Sequence, residues 1–479
     1  AFSSTEYIMT TRHFSRLALL LAAACSAQAW ASGYHFGTQS VSSQSTANSS
    51  SAEAADPSTL FHNPAGLTKL EGTQVSINVN LVAPSVKYSD AEAYYPGTNQ
   101  PVQGATSGNI RPKSVVFAPH FYLSHRLNDN LALGLGMYVP FGSGTEYQHD
   151  AVLRYNLNEL SVKTIAIQPT VAYKINDQHS VALGLVAQHT TAKLRQYANF
   201  GAFPPLRRNG FADGYASVEG SDWGFGYNLA WLWDVNDSLR LGANYRSKVS
   251  HNLRGDAEWK LVGAAFQTPM GGTLSNAIRA NGYAESEAAN VRIVTPESFS
   301  LHGMYKLTPR WSLYGDATWT RHSRFNRAEL NFGNSKAVAN PQTGGLARSN
   351  QTILTPQWRN TYKLSLGASY QITDPLQLRF GIAYDQSPVR GANTRMSTLP
   401  DADRLWFSFG GKYDINQQHS LNLAYSYVHV KNTSANVNGW CGGTASGPGS
   451  QACVSSRTHG SAKFRSRSHI LGLQYTYKF

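Results

Sequence analysis

Apolar and polar residues alternate along most of this chain. Its last eleven residues, HILGLQYTYKF, set Leu471, Leu473, Tyr475, Tyr477 and Phe479 against Gly472, Gln474, Thr476 and Lys478. A β-strand points successive side chains to opposite faces, so this stretch predicts a strand with one aromatic, apolar face and one polar face. The pattern starts at Val75-Ile77-Val79-Leu81. It returns at Leu131-Leu133-Leu135-Met137, Phe225-Tyr227-Leu229-Trp231, Leu376-Leu378-Phe380-Ile382 and Leu421-Leu423-Tyr425-Tyr427, among others, for about 14 strands in all.

The connections sort by length. Every second one is a tight turn built on NDN, NDQ, ND, TP, TDP or NQQ. The alternate connections are long, roughly 87–113, 143–161, 196–221, 251–296, 323–359, 387–403 and 432–465, and rich in Gly, Ser, Asn, Arg and Pro. Short turns at one end and long loops at the other are the pattern of an outer-membrane barrel, and a soluble sandwich has no reason to sort its loops this way. Trp311, Trp319, Tyr362, Tyr370, Tyr413, Tyr425 and Tyr427 fall near strand ends, where headgroup girdles form. The opposite faces carry Lys174, Arg240, Arg246, Lys306, Asp316, Lys363, Arg379 and Lys412, which suit a wet or plugged lumen and not lipid. The expectation is an all-β chain, a 14-stranded antiparallel transmembrane β-barrel over residues 74–479 of a Gram-negative outer membrane.

Composition narrows this further. Charged residues are only 14% of the chain and aromatics 11%, with a mean hydropathy of −0.34. A helical membrane protein is excluded, because the only long apolar run is too short to span. That run has Arg12 and Arg16 before an apolar core at 17–24 and a small-x-small site at Ala29-Trp30-Ala31, so residues 1–31 are expected to be a signal peptide with a short extension ahead of Met9. Two cysteines then remain, Cys441 and Cys453, close together in a Gly/Ser-rich loop of an exported chain, where a disulfide is expected. They have no CxxC partner and the histidines are scattered, so no metal site and no cofactor are expected. Net charge is +13, or +12 once Arg12, Arg16 and Glu6 leave with the presequence. Without a basic run this charge points to anionic lipid, lipopolysaccharide or anionic ligands, and not to nucleic acid.

Residues 32–73 break the pattern. They are small and polar, yet contain FHNPAGLTKLEG, with Leu60, Phe61, Leu67 and Leu70 around Asn63-Pro64. A barrel of this size has a lumen wider than its own side chains fill, and the segment is too structured for a disordered tail, so a plug is expected.

These residues carry a resemblance. LFHNPAGLTKL, with Phe61, Asn63, Pro64 and Ala65, resembles the Asn-Pro-Ala motif of the FadL family of outer-membrane long-chain fatty acid and hydrocarbon transporters. WGFGYNLAWLWDVNDSLRLGANYRSKV from Trp223, AYDQSPV from Ala383 and LPDADRLWFSFGGKY from Leu399 are similar to the same family, in the same order. The resemblance implies a monomeric barrel whose N-terminal hatch blocks the periplasmic exit. It also implies that a fatty acid or other hydrophobic molecule leaves sideways through a kink in the third strand. Here that strand runs LALGLGMYVPFGSGTEY, and Tyr138, Pro140, Gly142 and Gly144 mark the expected opening, since Pro cannot donate to a ladder and Gly permits a bulge. Strand termination by the same residues is the alternative. For a carboxylate head the family pairs two basic residues from different strands, and Lys193 and Arg327 are the nearest positions, with Arg246 a third and Phe141 an apolar contact. Thr191 stands where the family pattern has Arg, so an uncharged hydrocarbon stays open as substrate. The terminal Phe479 resembles the signal read by the barrel-assembly machinery. No catalytic residues are expected, since no GxSxG elbow occurs; a general porin and an adhesin are the remaining rivals.

Overall fold

The computed structural model describes residues 36–111, 115–201, 210–339, 346–441 and 452–479. The expected signal peptide and residues 32–35 lie outside them. The described strands close into one antiparallel barrel of 14. In chain order these are β1 (Thr73–Ala93), β2 (Val116–Arg126), β3 (Leu131–Tyr138, resuming as Gly142–Glu146), β4 (Glu159–Lys174), β5 (His179–Asn199), β6 (Asp213–Asp234) and β7 (Leu239–Arg246, then Val249–Leu261). The second half comprises β8 (Ser286–Thr295, then Ser298–Lys306), β9 (Trp311–Thr320, then Ala328–Ala339), β10 (Leu346–Thr355, then Thr361–Thr373) and β11 (Leu376–Asp385). It ends with β12 (Arg404–Asp414), β13 (His419–Val430, then Thr433–Asn438) and β14 (His459–Lys478). Each strand pairs with the next, and β14 pairs with β1 from Gln74↔Lys478 outward, with the Phe479 N–H donating to the Thr73 carbonyl at 2.9 Å.

The two faces follow the sequence alternation. Outward residues form an apolar belt in which Phe225 is 75% exposed, Leu366 64% and Leu185 61%. A contiguous surface of this kind is stable only against lipid. Inward residues are small or polar and buried, as with Gln74, Ser76, Asn78 and Asn80 on β1.

The short turns have a local cause. In four of them an Asn side chain (Asn128, Asn176, Asn236, Asn416) accepts two backbone N–H groups from the residues that reverse the chain, and Thr308 does the same in a fifth. The long connections differ from the expectation, because much of their length is strand. The β5–β6 ladder continues to Asn199↔Asp213 and the β1–β14 ladder to Ala93↔Gly460. Beyond the membrane both faces meet water or other loops, so nothing forces an apolar alternation that a sequence reading could detect. Cys441 and Cys453 are joined by a disulfide in the connection between β13 and β14, where Cys453 is buried and pairs with Thr355.

Candidate functional site at the strand-three kink

Pro140 interrupts β3 without ending it. After Tyr138 the chain leaves the ladder, then pairs again with β4 from Gly142↔Lys163. Across the break Thr164 N–H donates to the Phe141 carbonyl (3.0 Å) and Phe141 N–H to Thr164 Oγ1 (2.8 Å). The other edge does not recover. β2 pairs with β3 only as far as Phe121↔Met137, although it stays paired with β1 out to Val116. Among the described residues, the β2–β3 seam beyond Tyr138 therefore has no ladder.

The start of the N-terminal segment fills that seam from inside. Phe36 N–H donates to the Pro140 carbonyl (2.9 Å), Gln39 Nε2 to the Val139 carbonyl (3.3 Å) and Tyr122 hydroxyl to the Gln39 carbonyl (2.7 Å). The Phe36 ring, 1% exposed, packs with Val116, Ala118 and Val139.

Further along, the same segment meets the lumen side of the kink. Phe61 sits edge-on to Tyr138, with ring centroids 4.9 Å apart. Arg246, from the end of the first part of β7, lies over both rings at 4.4 and 5.2 Å. It donates to the Tyr138 hydroxyl (2.5 Å), Gln168 Oε1 (3.0 Å) and the Phe61 carbonyl (3.1 Å). One guanidinium thus bridges segment, kink and barrel wall, a role its planar fork of donors suits. Two residues on, Asn63 fixes the position. It is fully buried, its Oδ1 caps the 3₁₀ helix Pro64–Lys69 by accepting from Ala65 N–H (3.1 Å), and its Nδ2 donates to the Trp231 carbonyl (3.0 Å) and His302 Nε2 (2.8 Å). An amide nitrogen only donates, so Nε2 of His302 accepts and the ring proton sits on Nδ1. Gly242 makes room for this contact: a Cβ there would lie 2.6 Å from Asn63 Nδ2 and 2.5 Å from His302 Nε2.

Two cavities lie near the kink, one lined by Ser143 and the other by Pro140 and Phe141. The outer one is walled almost wholly by apolar side chains such as Leu160, Leu194, Val218, Leu253, Val291 and Leu330. The inner one is mixed in character and includes Phe61, Phe141, Arg246, Asp316, His322 and Lys363. Phe141, Phe325 and Trp358 belong to one cluster between them, with Phe325 edge-on to Trp358 at 4.9 Å.

The basic residues are distributed differently from the expectation. Lys193 stands at the rim of the outer cavity, paired with Glu159 at 3.1 Å, and Glu159 also binds Arg195 at 3.1 Å. Arg327 is half exposed, bound to Glu329 at 2.6 Å, and lines neither cavity, so Lys193 and Arg327 do not form a pair. Phe325 and Ala328, on either side of it, face the outer cavity instead. The cations that share a cavity are Arg246 and Lys363. Lys363 lies 4.6 Å over the Trp406 ring and has no carboxylate within 4 Å among the described residues. Of the nearby acids, Asp385 is bound by Arg404 at 3.5 Å, while Asp316 accepts from the Ser51 and Thr318 hydroxyls at 2.6 Å each. His62 borders the cavity too, but burial, with Arg246 and Lys363 nearby, holds its pKa far below the usual imidazole value. Arg246 and Lys363 are the arginine and lysine side chains that line this cavity. The alternation showed Lys363 only as one of several lumen-facing charges; what singles it out is the Trp406 ring brought beside it by β12. Among the described residues no group of His, Cys, Asp and Glu is placed to hold a metal.

Residues 22–479 match the model of the family described as outer membrane protein transport protein (OMPP1/FadL/TodX). A putative outer membrane protein of Neisseria meningitidis serogroup B is 51% identical, over 98% of this chain and 100% of its own length. A long-chain fatty acid transport protein of Escherichia coli O6:H1 is 26% identical, over 87% of this chain and 91% of its own. Of the solved structures, a Pseudomonas aeruginosa FadL homologue shares the fold with a TM-score of 0.75 at 23% identity, covering 93% of this chain and all of that one. The Pseudomonas putida toluene transporter TodX shares it with a TM-score of 0.62 at 16% identity, covering 94% of this chain and all of that one.

Proposed function

The chain belongs to the outer membrane protein transport family (OMPP1/FadL/TodX), and from that premise we propose that it takes up long-chain fatty acids through the seam at the β3 kink. The observation that carries this reading is the order of chemistries along the path. An apolar cavity opens toward the outer loops, a cavity with two cations follows, and beyond Phe61, Arg246 and Tyr138 the wall between β2 and β3 lacks its ladder. An alkyl chain gains by leaving water for the first cavity, at about 25 cal/mol per Å² of apolar surface buried. A carboxylate gains a charge-assisted partner in the second from Lys363 and Arg246. The exit is lateral, because the N-terminal segment closes the lumen below and acts as the hatch. The exposed terminal Phe479 is the residue we assign to recognition by the barrel-assembly machinery.

A second reading has its own observation. The outer cavity presents almost no polar surface, which is what a neutral hydrocarbon such as toluene requires. Uptake of labelled oleate beside labelled toluene, in cells lacking their own transporter, separates the two. If fatty acid is the substrate, the chain supports oleate uptake, and Lys363→Gln lowers it several-fold while leaving toluene entry unchanged. Toluene uptake alone would transfer the assignment to hydrocarbons, and uptake of neither by a correctly inserted barrel would refute both.

A further inference from the structure

The outer wall of the barrel carries another cavity, which shares no lining residue with the two on the transport path. It is open to solvent and lies where two ladders are irregular: β1 shifts register between Ser89 and Glu92, and β13 breaks at Lys431 and Asn432. Its wall includes Arg359, Arg390, Arg395, Lys431, Lys463 and Arg465 against two acids, Asp90 and Asp403. The acids are already engaged, Asp90 by Lys463 at 3.0 Å and Asp403 by Arg359 at 3.9 Å. Arg395 is buried and donates to the Asp401 and Ser434 carbonyls. Arg390, Lys431 and Arg465 are exposed, with no carboxylate within 4 Å among the described residues.

A second observation sharpens this. Arg465 stands directly opposite Lys87 across the β1–β14 ladder, and Arg467 follows two residues on along the same face. Like charges in that register repel, and a bound anion would relieve the repulsion, since no carboxylate lies within 4 Å of either among the described residues. Position indicates its source. The next outward residues of β14 are His469, Leu471 and Leu473, and the last two belong to the lipid-facing belt. At about 3.4 Å per residue and a strand tilt of about 40°, Arg467 and Arg465 stand roughly 10 to 16 Å above Leu471. That is the level of outer-leaflet headgroups.

We propose that this cavity binds the phosphate groups of an anionic glycolipid of the outer leaflet, the phosphorylated disaccharide of lipopolysaccharide. Arg390, Lys431 and Arg465 contact phosphate directly, with Lys87 beside Arg465 and Arg467 below it adding positive charge. Guanidinium pairs with phosphate bidentately and Lys as a point charge, so the set is suited to that ligand. The inference rests on the placement of the barrel in the outer membrane and not on what the barrel carries.

The test uses the full chain purified in detergent, stripped of bound lipid and titrated with diphosphoryl lipid A under native mass spectrometry. The variant Arg390→Gln/Lys431→Gln/Arg465→Gln should bind at least about tenfold more weakly, since three charge-assisted contacts are lost. A control triple, Arg254→Gln/Lys260→Gln/Arg292→Gln, removes exposed cations on β7 and β8 and should bind like the wild type. Lipid A stripped of phosphate should bind no better than the first variant. Equal binding by that variant and the wild type overturns the proposal, as does displacement of lipid A by inorganic phosphate at matched concentration, which would make this a site for a free anion. Heat-modifiable migration on gels verifies assembly. Should the triple variant fail it, Lys431→Gln and Arg465→Gln singly should each weaken binding about threefold, and an unchanged affinity in both counts against the site.

Discussion

Asn63 concentrates three contacts in one buried amide: a helix cap, a barrel carbonyl and a histidine. Asn63→Ala leaves the Trp231 carbonyl and His302 without their donor and uncaps the 3₁₀ helix, at a cost of about 1–3 kcal/mol. Gly242→Ala should act on the same contact from the wall side, through a Cβ that crowds Asn63 and His302. Both variants are expected to keep a folded barrel while speeding amide hydrogen exchange of residues 58–70 well above wild type. Unchanged exchange would mean that the segment is held elsewhere. At this scale legibility varied with chemistry. Asn63 could be singled out because it stands in LFHNPAGLTKL, the stretch that resembles the family's Asn-Pro-Ala motif. Arg327 could not be judged, because a basic residue after a strand end looks the same whether it faces a cavity or, as here, a surface glutamate. Lys363 acquires its significance only from Trp406, forty-three positions away.

Strands were read well where lipid dictated them and poorly where it did not. The alternation of apolar residues marked the spanning parts of β1 to β14, because one face had to be apolar. It missed the outer extensions of β5, β6 and β7, where Arg195, Tyr197 and Trp259 are buried by loops that a strand-by-strand reading cannot place. The kink was visible as Pro140 with Gly142 and Gly144, yet the residue that occupies the seam was not: Phe36 lies about a hundred positions away in a polar stretch. Its removal tests the element directly. Phe36→Ala vacates a fully buried aromatic site, a change that typically costs about 3–5 kcal/mol where the surroundings do not collapse. Faster exchange at Val139 and along the outer half of β2, together with faster oleate entry, is the expected outcome. Slower entry would assign Phe36 to the ligand path instead of the stopper.

For the whole molecule, the N-terminal segment is fitted to the lumen, and we propose that this fit keeps the 14-stranded barrel from conducting. A network at the wall carries much of that fit: Arg379, 1% exposed, pairs with Glu53 at 2.6 Å and also donates to Ser45 and Ser50, while the Tyr314 hydroxyl donates to Glu53 at 2.9 Å. Glu53→Gln leaves the Arg379 charge buried without its counter-ion, a loss of about 3–5 kcal/mol in comparable pairs. In a planar bilayer the wild type is expected to be silent and the variant to show open steps, whereas Glu53→Gln/Arg379→Met should be quieter than the single change because no charge is stranded. A silent single variant would show that the remaining contacts suffice.

The attachment of this segment limits how it can move. It joins β1 at Thr73 through Gly72, whose φ of +60° suits a residue without a side chain and whose carbonyl is held by Arg126 N–H at 2.9 Å. From there it rises through the lumen to Phe36, which touches the seam. On the lateral release proposed above, that attachment would make Gly72 a pivot at the periplasmic rim and Phe36 the far end of a lever. A small rotation near Gly72 would become a large displacement at Phe36, so that the seam could clear while the bottom of the lumen stayed shut, releasing a substrate sideways without opening a hole through the membrane.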